Sequence, residues 1–126
     1  MPWPARPFEP LIDLHETALP AADMRRLTLR NARLARVHWQ RVDLRQSDMI
    51  GADLCGATLV DADLREADLT DANLSGANLS GADLRGARVT VAQLAAATIS
   101  PETKLPEGIT HEAVATARAA LQHAAE

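Results

Sequence analysis

Residues 72–86 read Ala-Asn-Leu-Ser-Gly-Ala-Asn-Leu-Ser-Gly-Ala-Asp-Leu-Arg-Gly. Three units of the form Ala-(Asp/Asn)-Leu-x-x follow one another here without a gap, and the same five-residue frame extends in both directions. Leucine or another large apolar residue falls at every fifth position from Met24 to Ile99, and a residue that is usually small or aliphatic stands two positions before each. Residues 22–101 form sixteen consecutive units of this kind.

A period of five suits neither regular secondary structure. Leucines five apart on an α-helix are rotated by about 140° from one to the next, so they form no stripe. In a continuous strand, residues five apart point to opposite faces. The chain must therefore turn a corner in every unit, so that the alanine and the leucine point inward and the Asp or Asn between them points outward. Such units pack on one another as an all-β solenoid.

The residue two positions after each leucine is predicted to form the corner. Glycine and short polar residues are typical where the backbone needs a positive φ or a tight turn. The residues of this kind in the corner register are Asn31, Gly51, Gly56, Asp61, Asp71, Gly76, Gly81 and Gly86.

The repeat Ala-(Asp/Asn)-Leu-x-x resembles the signature of the pentapeptide-repeat family, most closely between Ala52 and Ala87. The resemblance implies a right-handed quadrilateral β-helix with four units, and hence twenty residues, in each coil. Residues 22–101 then make about four coils.

Two charged columns support a repeat of twenty residues independently of the resemblance. Aspartate and arginine each recur at this spacing, and neighbours in stacked coils lie about 4.8 Å apart. The repulsion between like charges within each column is offset by attraction to the opposite charges of the other column. We interpret them as a solvated face, with a docking site for a charged partner as the alternative. The columns are Asp23, Asp43, Asp63 and Asp83, and Arg25, Arg45, Arg65 and Arg85.

The two ends of the chain leave the repeat. Residues 1–21 contain five of the seven prolines and are predicted to form an extended cap over the N-terminal end of the solenoid. Ile12-Asp13-Leu14 and Thr17-Ala18-Leu19 keep the five-residue frame, so an early start of partial coil is the alternative. Residues 102–126 are predicted to form a connector and a C-terminal α-helix from about 111 to 125, with Thr110 as its N-cap. We expect this helix to lie across the C-terminal end, with dimerisation as the alternative. The apolar stripe of the helix is Val114, Ala117, Leu121 and Ala124, and the apolar residues of the N-terminal cap are Phe8, Leu11, Ile12, Leu14 and Leu19.

The first coil, residues 22–41, departs most from the consensus. Leu27 and Val37 occupy the inward position two residues before the central one, and both are predicted to be buried. Trp39 is central, which favours a core position over a ligand-stacking one. In the second coil, Ser47 is the one polar inward residue and is expected to bond to the backbone.

The sequence predicts no catalytic, cofactor-binding or metal-binding residue. The repeated aspartates point outward at regular spacing, so no acid–base pair is singled out. The single Cys55 excludes an internal disulfide and favours a reducing, cytoplasmic location. No signal-peptide pattern or membrane-spanning apolar stretch is present, so no membrane partner is expected. The histidines lack metal-ligand spacing; they are His15, His38, His111 and His123.

The charge distribution is uneven although residues 22–101 contain ten acidic and ten basic residues. Seven arginines lie between positions 25 and 45, whereas acidic residues dominate from 48 to 83. As a hypothesis, this polarity favours a charged protein partner or antiparallel pairing in a homodimer. Direct nucleic-acid binding is disfavoured because lysine is scarce and the net charge is −4.

The function that the sequence favours is that of a non-enzymatic protein-interaction module or scaffold with an unknown protein partner. A flat face of small residues is predicted to admit close approach, and it carries Ala35, Cys55, Ser75 and Ala95 with Gly56 and Gly76. The resemblance implies an alternative, a DNA-mimicking binder of DNA gyrase of the quinolone-protection type. We rank it second because such a mimic is a long acidic rod, whereas this solenoid is neutral, about 19 Å long and predicted to be uninterrupted over 22–101.

Overall fold

The computed structural model describes residues 12–124. Within this range the backbone winds into stacked coils joined by single-residue parallel bridges, which run at an offset of 20 residues from Asp13↔Arg33 to Asn78↔Thr98. The last bridge, Asp83↔Lys104, has an offset of 21. A corner follows every fifth residue, so each side of a coil contributes one bridged residue and no longer strand forms between residues 12 and 124.

The stacked coils have four faces, and three of them take their names from the residues that they carry. The ladder face is bridged through Asp23, Asp43, Asp63, Asp83 and Lys104. The neutral face is bridged through Ala18, His38, Thr58, Asn78 and Thr98. The cysteine face is bridged through Asp13, Arg33, Asp53 and Asn73, with Cys55 beside them. The fourth face is bridged through Thr28, Asp48, Asp68 and Arg88.

Corners with positive φ occur at every fifth residue from Glu16 to Gly86, which confirms the predicted bend in the units up to Gly86. Ten of these residues are not glycine, and their φ angles lie between 57° and 61°. This conformation costs an ordinary residue about 1–2 kcal/mol. The cost is offset in part because the corner N–H bonds to the next coil, as in Arg36 N–H to the Cys55 carbonyl at 2.8 Å.

The interior is filled by the two inward registers of each unit. The alanines and leucines of residues 52–84 are buried, as predicted. Trp39 is also fully buried, and its Nε1 donates to Thr17 Oγ1 at 3.1 Å. Ser47 is buried and donates to the Leu44 carbonyl at 2.8 Å, so the polar inward residue bonds to backbone as expected.

The coils begin earlier than the predicted boundary at residue 22. Asp13 and Ala18 are already bridged to the next coil, so residues 12–21 are coil and not part of an extended cap. The reason is that Ile12-Asp13-Leu14 and Thr17-Ala18-Leu19 keep the five-residue frame. The rest of the predicted cap, residues 1–11, lies outside the described residues. Leu27, which follows this segment by one coil and was predicted to be buried, is 41% exposed.

A short helix interrupts the fourth coil, so the prediction of an uninterrupted array over 22–101 is wrong. Helix α1 spans Val91–Ala96, and its N-cap is Thr90, whose side chain accepts the N–H of Gln93. The Gln93 side chain in turn accepts the N–H of Thr90, which completes a capping box. Val91 stands where a corner is required, and a β-branched residue is strongly disfavoured at positive φ.

The C-terminal helix α2 spans His111–Ala124. Thr110 Oγ1 accepts the N–H of Ala113 at 3.0 Å, and Val114 is buried in the core. Arg118 reaches α1 and donates to the Ala95 carbonyl at 3.2 Å. Of the predicted apolar stripe, Val114 is buried and Leu121 is 52% exposed. No helix within residues 12–124 has the length and apolar character needed to cross a membrane.

Candidate interaction surfaces

The two predicted charged columns lie side by side on the ladder face. In each coil the arginine donates two hydrogen bonds to the aspartate two residues before it. Arg45 shows the geometry: its Nε donates to Asp43 Oδ1 at 2.9 Å and its Nη2 donates to Asp43 Oδ2 at 2.8 Å. The other three pairs, at 23/25, 63/65 and 83/85, have the same arrangement.

Arg25, Arg45 and Arg65 also lie within 4 Å of the aspartate of the next coil, so the four pairs form a continuous network. Arg45 Nε lies 3.6 Å from Asp63 Oδ2, and Arg65 Nε lies 3.9 Å from Asp83 Oδ2. The hydrogen bonds from Arg25 hold the pKa of Asp23 at about 2, and the equivalent bonds lower the pKa of the other three aspartates. Both columns are therefore charged at neutral pH and neutralise each other in place.

An open groove of about 590 Å³ runs beside the ladder face, along its corner. Its outer wall is a hydrogen-bonded column of three side chains. Arg26 Nε donates to Gln46 Oε1 at 2.9 Å, and Gln46 Nε2 donates to Glu66 Oε2 at 2.8 Å. The two ends of this column carry opposite charges, but the groove as a whole is lined by four arginines and two carboxylates.

The basic character that the sequence suggests for the first coil is largely cancelled by pairing. Arg30 Nη2 lies 2.8 Å from Asp48, and Arg36 Nη2 lies 2.6 Å from Glu16. Within residues 12–124, Arg26 and Arg41 take part in no ion pair. The charge polarity that motivated antiparallel pairing is thus weaker in the folded chain than in the sequence.

The cysteine face is not the uniform small-residue face that the sequence suggested. Ala95 lies in α1 and is buried, so the column of small side chains ends at Ser75. The remaining part carries exposed charges at Asp13, Arg33 and Asp53. Cys55 is an exposed free thiol.

The neutral face is the surface that sequence reasoning missed. Its bridged residues include no Asp, Glu, Lys or Arg, and neither do the residues two positions further along, Pro20, Gln40, Val60, Ser80 and Ser100. Asn78 is folded back on its own turn, where its Oδ1 accepts the Ser80 N–H at 3.0 Å and the Ser80 hydroxyl at 2.7 Å. A search for twenty-residue columns without charge would have found this face.

Groups able to hold a metal ion are not found within residues 12–124. The four histidines that the sequence set apart do not converge on one site, and His15 contacts Asp13 while His111 contacts the Ser100 carbonyl. The arrangement of the described residues therefore offers faces for docking and no convergent chemical centre.

Comparisons with known proteins agree with this architecture. The crystal structure of Rfr23, a pentapeptide repeat protein from the cyanobacterium Cyanothece 51142, is 27% identical, with 83% of this chain and 71% of that chain covered and a TM-score of 0.69. The protein alr5209 from Nostoc PCC 7120 is 25% identical, with 81% and 80% covered and a TM-score of 0.49. QnrB1, a plasmid-mediated fluoroquinolone resistance protein, is 14% identical, with 90% and 62% covered and a TM-score of 0.54, which shows a shared fold alone. No curated protein sequence matches this chain.

The pentapeptide-repeat model matches residues 22–61 and 47–86, with eight copies of the repeat. These two matches overlap and together cover just over half of the chain. The likeness to Rfr23 implies that the four-sided coil is a right-handed quadrilateral β-helix. The chain belongs to the pentapeptide-repeat family.

Proposed function

We propose that this protein is a non-enzymatic interaction module that docks a protein partner on its neutral face. The observation that carries the proposal is the absence of Asp, Glu, Lys and Arg from both outward columns of that face, Ala18 to Thr98 and Pro20 to Ser100. Burying a charge without a partner is costly, whereas hydroxyl and amide groups can exchange water for a partner at a smaller cost.

The ladder face is a poorer docking surface for the same reason. Its aspartates and arginines already satisfy one another through paired hydrogen bonds, as in Asp63 and Arg65. A partner that covered them would desolvate both groups and gain few new bonds in return. The charged columns are therefore better explained as a solvated face.

The size of the neutral face limits what binds there. Five bridged rows span about 19 Å, and the width of a face is about 10 Å for three extended residues. A stable interface buries about 800 Å² on each partner, several times this area. We infer that the partner also reaches the adjoining corner, which carries Arg41 and Asp61.

A matched pair of serine substitutions tests the proposal. Ser80 lies on the neutral face and Ser75 on the cysteine face, and each donates its N–H to the Oδ1 of the preceding asparagine at 3.0 Å. The protein is crosslinked to its partner in source cells, and the partner recovered with it is measured. We expect Ser80→Arg to reduce the amount of recovered partner by at least about tenfold. Ser75→Arg should leave recovery unchanged, with both variants melting near the wild-type temperature. Equal recovery with the two variants would contradict the assignment of the face.

The gyrase-binding alternative ranks second because the ladder aspartates are not free to imitate phosphates. Each is bound by its own arginine, so the face lacks the negative surface of a duplex. A DNA supercoiling assay with purified gyrase, with and without a quinolone, separates the two proposals. Protection of gyrase by this protein would favour the alternative and overturn the neutral-face assignment if Ser80→Arg still protected.

A further inference from the structure

The groove beside the ladder face has a basic lining. Its volume of about 590 Å³ is in the range of small-molecule sites. Four arginines line it against two carboxylates, and three of the four ladder aspartates, Asp43, Asp63 and Asp83, are not part of the lining. The groove therefore faces the arginine column of the ladder and not its aspartate column.

The ladder arginines in the lining keep hydrogen-bond donors that the aspartates do not use. Arg25, Arg45 and Arg65 each donate from Nε and Nη2 to the aspartate two residues before. Their Nη1 atoms have no hydrogen-bond acceptor within residues 12–124, although a guanidinium group can donate from all three nitrogens. Stacked coils lie about 4.8 Å apart, so the three arginines form a row of unused donors about 10 Å long.

Arg26 adds a positive charge that no carboxylate of the described chain neutralises. Its Nε donates to Gln46 Oε1 at 2.9 Å, and its Nη1 and Nη2 atoms have no hydrogen-bond partner in that part of the chain. Glu66, at the other end of the same column, accepts a hydrogen bond from Gln46 Nε2. The outer wall of the groove is therefore basic at the first coil and acidic at the third. An anion is best accommodated toward Arg26 and away from Glu66.

The spacing of the coils indicates which kind of anion fits. A single phosphate is too short to contact a row about 10 Å long. In an extended acidic peptide, side chains on one face are about 7 Å apart, which does not match rows about 4.8 Å apart. Linked phosphates share a bridging oxygen and lie closer together than the coils, so an oxygen is within reach of every row. Guanidinium groups bind phosphate oxygens with strong, charge-assisted hydrogen bonds.

We propose that the groove binds a short chain of linked phosphates, held by Arg26 on one side and by the Nη1 atoms of Arg25, Arg45 and Arg65 on the other. Free polyphosphate and the triphosphate group of a nucleotide share this chemistry. A protein that covered the ladder face would desolvate its aspartates, whereas an anion within the groove leaves their hydrogen bonds to arginine intact. The site lies outside the neutral face, so it does not depend on the proposed function.

Titration calorimetry of the full chain with tripolyphosphate, at low salt and without divalent cations, tests the proposal. We expect saturable binding, and affinities for orthophosphate and for hexaglutamate that are lower by at least about tenfold. Absence of saturable tripolyphosphate binding overturns the proposal, as does an equal affinity for either of the other two anions. ATP distinguishes the two sources of the anion. Tighter binding of ATP than of tripolyphosphate assigns the site to a nucleotide, and equal or weaker binding assigns it to free polyphosphate.

A matched pair of arginine substitutions locates the anion. Arg26 and Arg41 are exposed corner residues with φ angles of 60° and 59°, and neither is in an ion pair within the described residues. Arg26→Gln should weaken tripolyphosphate binding by at least about tenfold, because charge-assisted hydrogen bonds are lost. Arg41→Gln removes the same charge outside the groove and should change the affinity by less than about twofold. Equal losses in the two variants overturn the proposal.

Glu66→Gln tests the acidic end of the groove in the opposite direction. The amide keeps an oxygen for Gln46 Nε2 and removes the negative charge, so the affinity for tripolyphosphate should rise severalfold. Glu102→Gln is the control, because Glu102 is an exposed carboxylate that does not line the groove. It should leave the affinity unchanged, and both variants should melt near the wild-type temperature. An affinity that Glu66→Gln does not raise overturns the placement of the anion in this groove.

Discussion

The third and fourth coils, residues 62–81 and 82–101, keep the same inward registers but follow different paths. Leu74 and Leu94 are twenty residues apart, and both are buried in the core. The third coil passes Leu74 as a regular bridged segment, whereas the fourth passes Leu94 as helix α1. The corners differ, because Asp71 in the third coil is replaced by Val91 in the fourth. Inward residues set the register, and corner residues decide whether the backbone bends.

The largest expected effect comes from breaking the inward register of the third coil. Leu74→Asp places a carboxylate in the core without a partner and should destabilise the fold by at least about 3 kcal/mol. Asn73→Asp is the control, because aspartate occupies the same outward register at Asp53, where Oδ1 accepts the Cys55 N–H. It should change the free energy of unfolding by less than about 0.5 kcal/mol. Similar unfolding midpoints in urea for the two variants would contradict the inward–outward assignment.

The next effect concerns how α1 is joined to the third coil. Gln93 Nε2 donates to the carbonyls of Leu69 and Ala72 at 2.7 and 2.9 Å, and its Oε1 accepts the Thr90 N–H. The Ala72 carbonyl thus receives from the Gln93 side chain the hydrogen bond that a bridged residue would donate from its backbone, as the Asn73 N–H does to the Ala52 carbonyl. Gln93→Ala should cost about 2 kcal/mol, from the lost side-chain bond to the Thr90 N–H and the unpaired Ala72 carbonyl; the Leu69 carbonyl keeps the Ala72 N–H.

Gln40→Ala is the matched control for that substitution, since the half-buried Gln40 side chain makes no hydrogen bond within the described residues. We expect its midpoint of thermal unfolding to stay within about 2 °C of the wild type. A Gln93→Ala variant that melted with the control would show that α1 is held by apolar packing alone.

The sequence predicted those features that repeat and missed those that occur once. The period, the inward leucines, Trp39 and the glycine corners follow from a pattern repeated many times, so single departures did not hide it. Helix α1 was missed although Thr90 and Gln93 have capping-box spacing, because Leu94 and Ile99 kept the frame. The neutral face was missed because absence of charge is visible only after the chain is folded into columns.

Giving the third coil the corner residue of the fourth sharpens the comparison directly. Asp71 has a φ of 59°, and Asp71→Val would place a β-branched side chain in that conformation. We expect a loss of about 1–2 kcal/mol of stability. Asp71→Asn is the control and should be neutral, because asparagine occurs in the same column at Asn31 with a φ of 58°. Equal urea midpoints for the valine and asparagine variants would mean that α1 owes its existence to its cap and not to Val91.

The smallest effect tests what the two coils share, the ladder of Asp63–Arg65 and Asp83–Arg85. The hydrogen bonds from Arg85 lower the pKa of Asp83 in the folded chain, so its stabilising contribution is full above the unfolded aspartate pKa of about 3.9 and is lost as the pH falls below it. The melting temperature should therefore be flat from about pH 7 to 5 and fall between about pH 4 and 2.

Arg85→Lys removes the bidentate contact with Asp83 and should lower the melting temperature at pH 7 by less than about 4 °C, because the pair is partly exposed. That difference should shrink as the pH falls through the lowered folded-state pKa of Asp83, because a protonated carboxyl no longer attracts either cation. Glu102→Gln, at an exposed residue in no ion pair within the described chain, should leave the melting temperature at pH 7 unchanged. An Arg85→Lys difference that did not shrink over that range would mean that Arg85 stabilises the fourth coil by packing its side-chain stem.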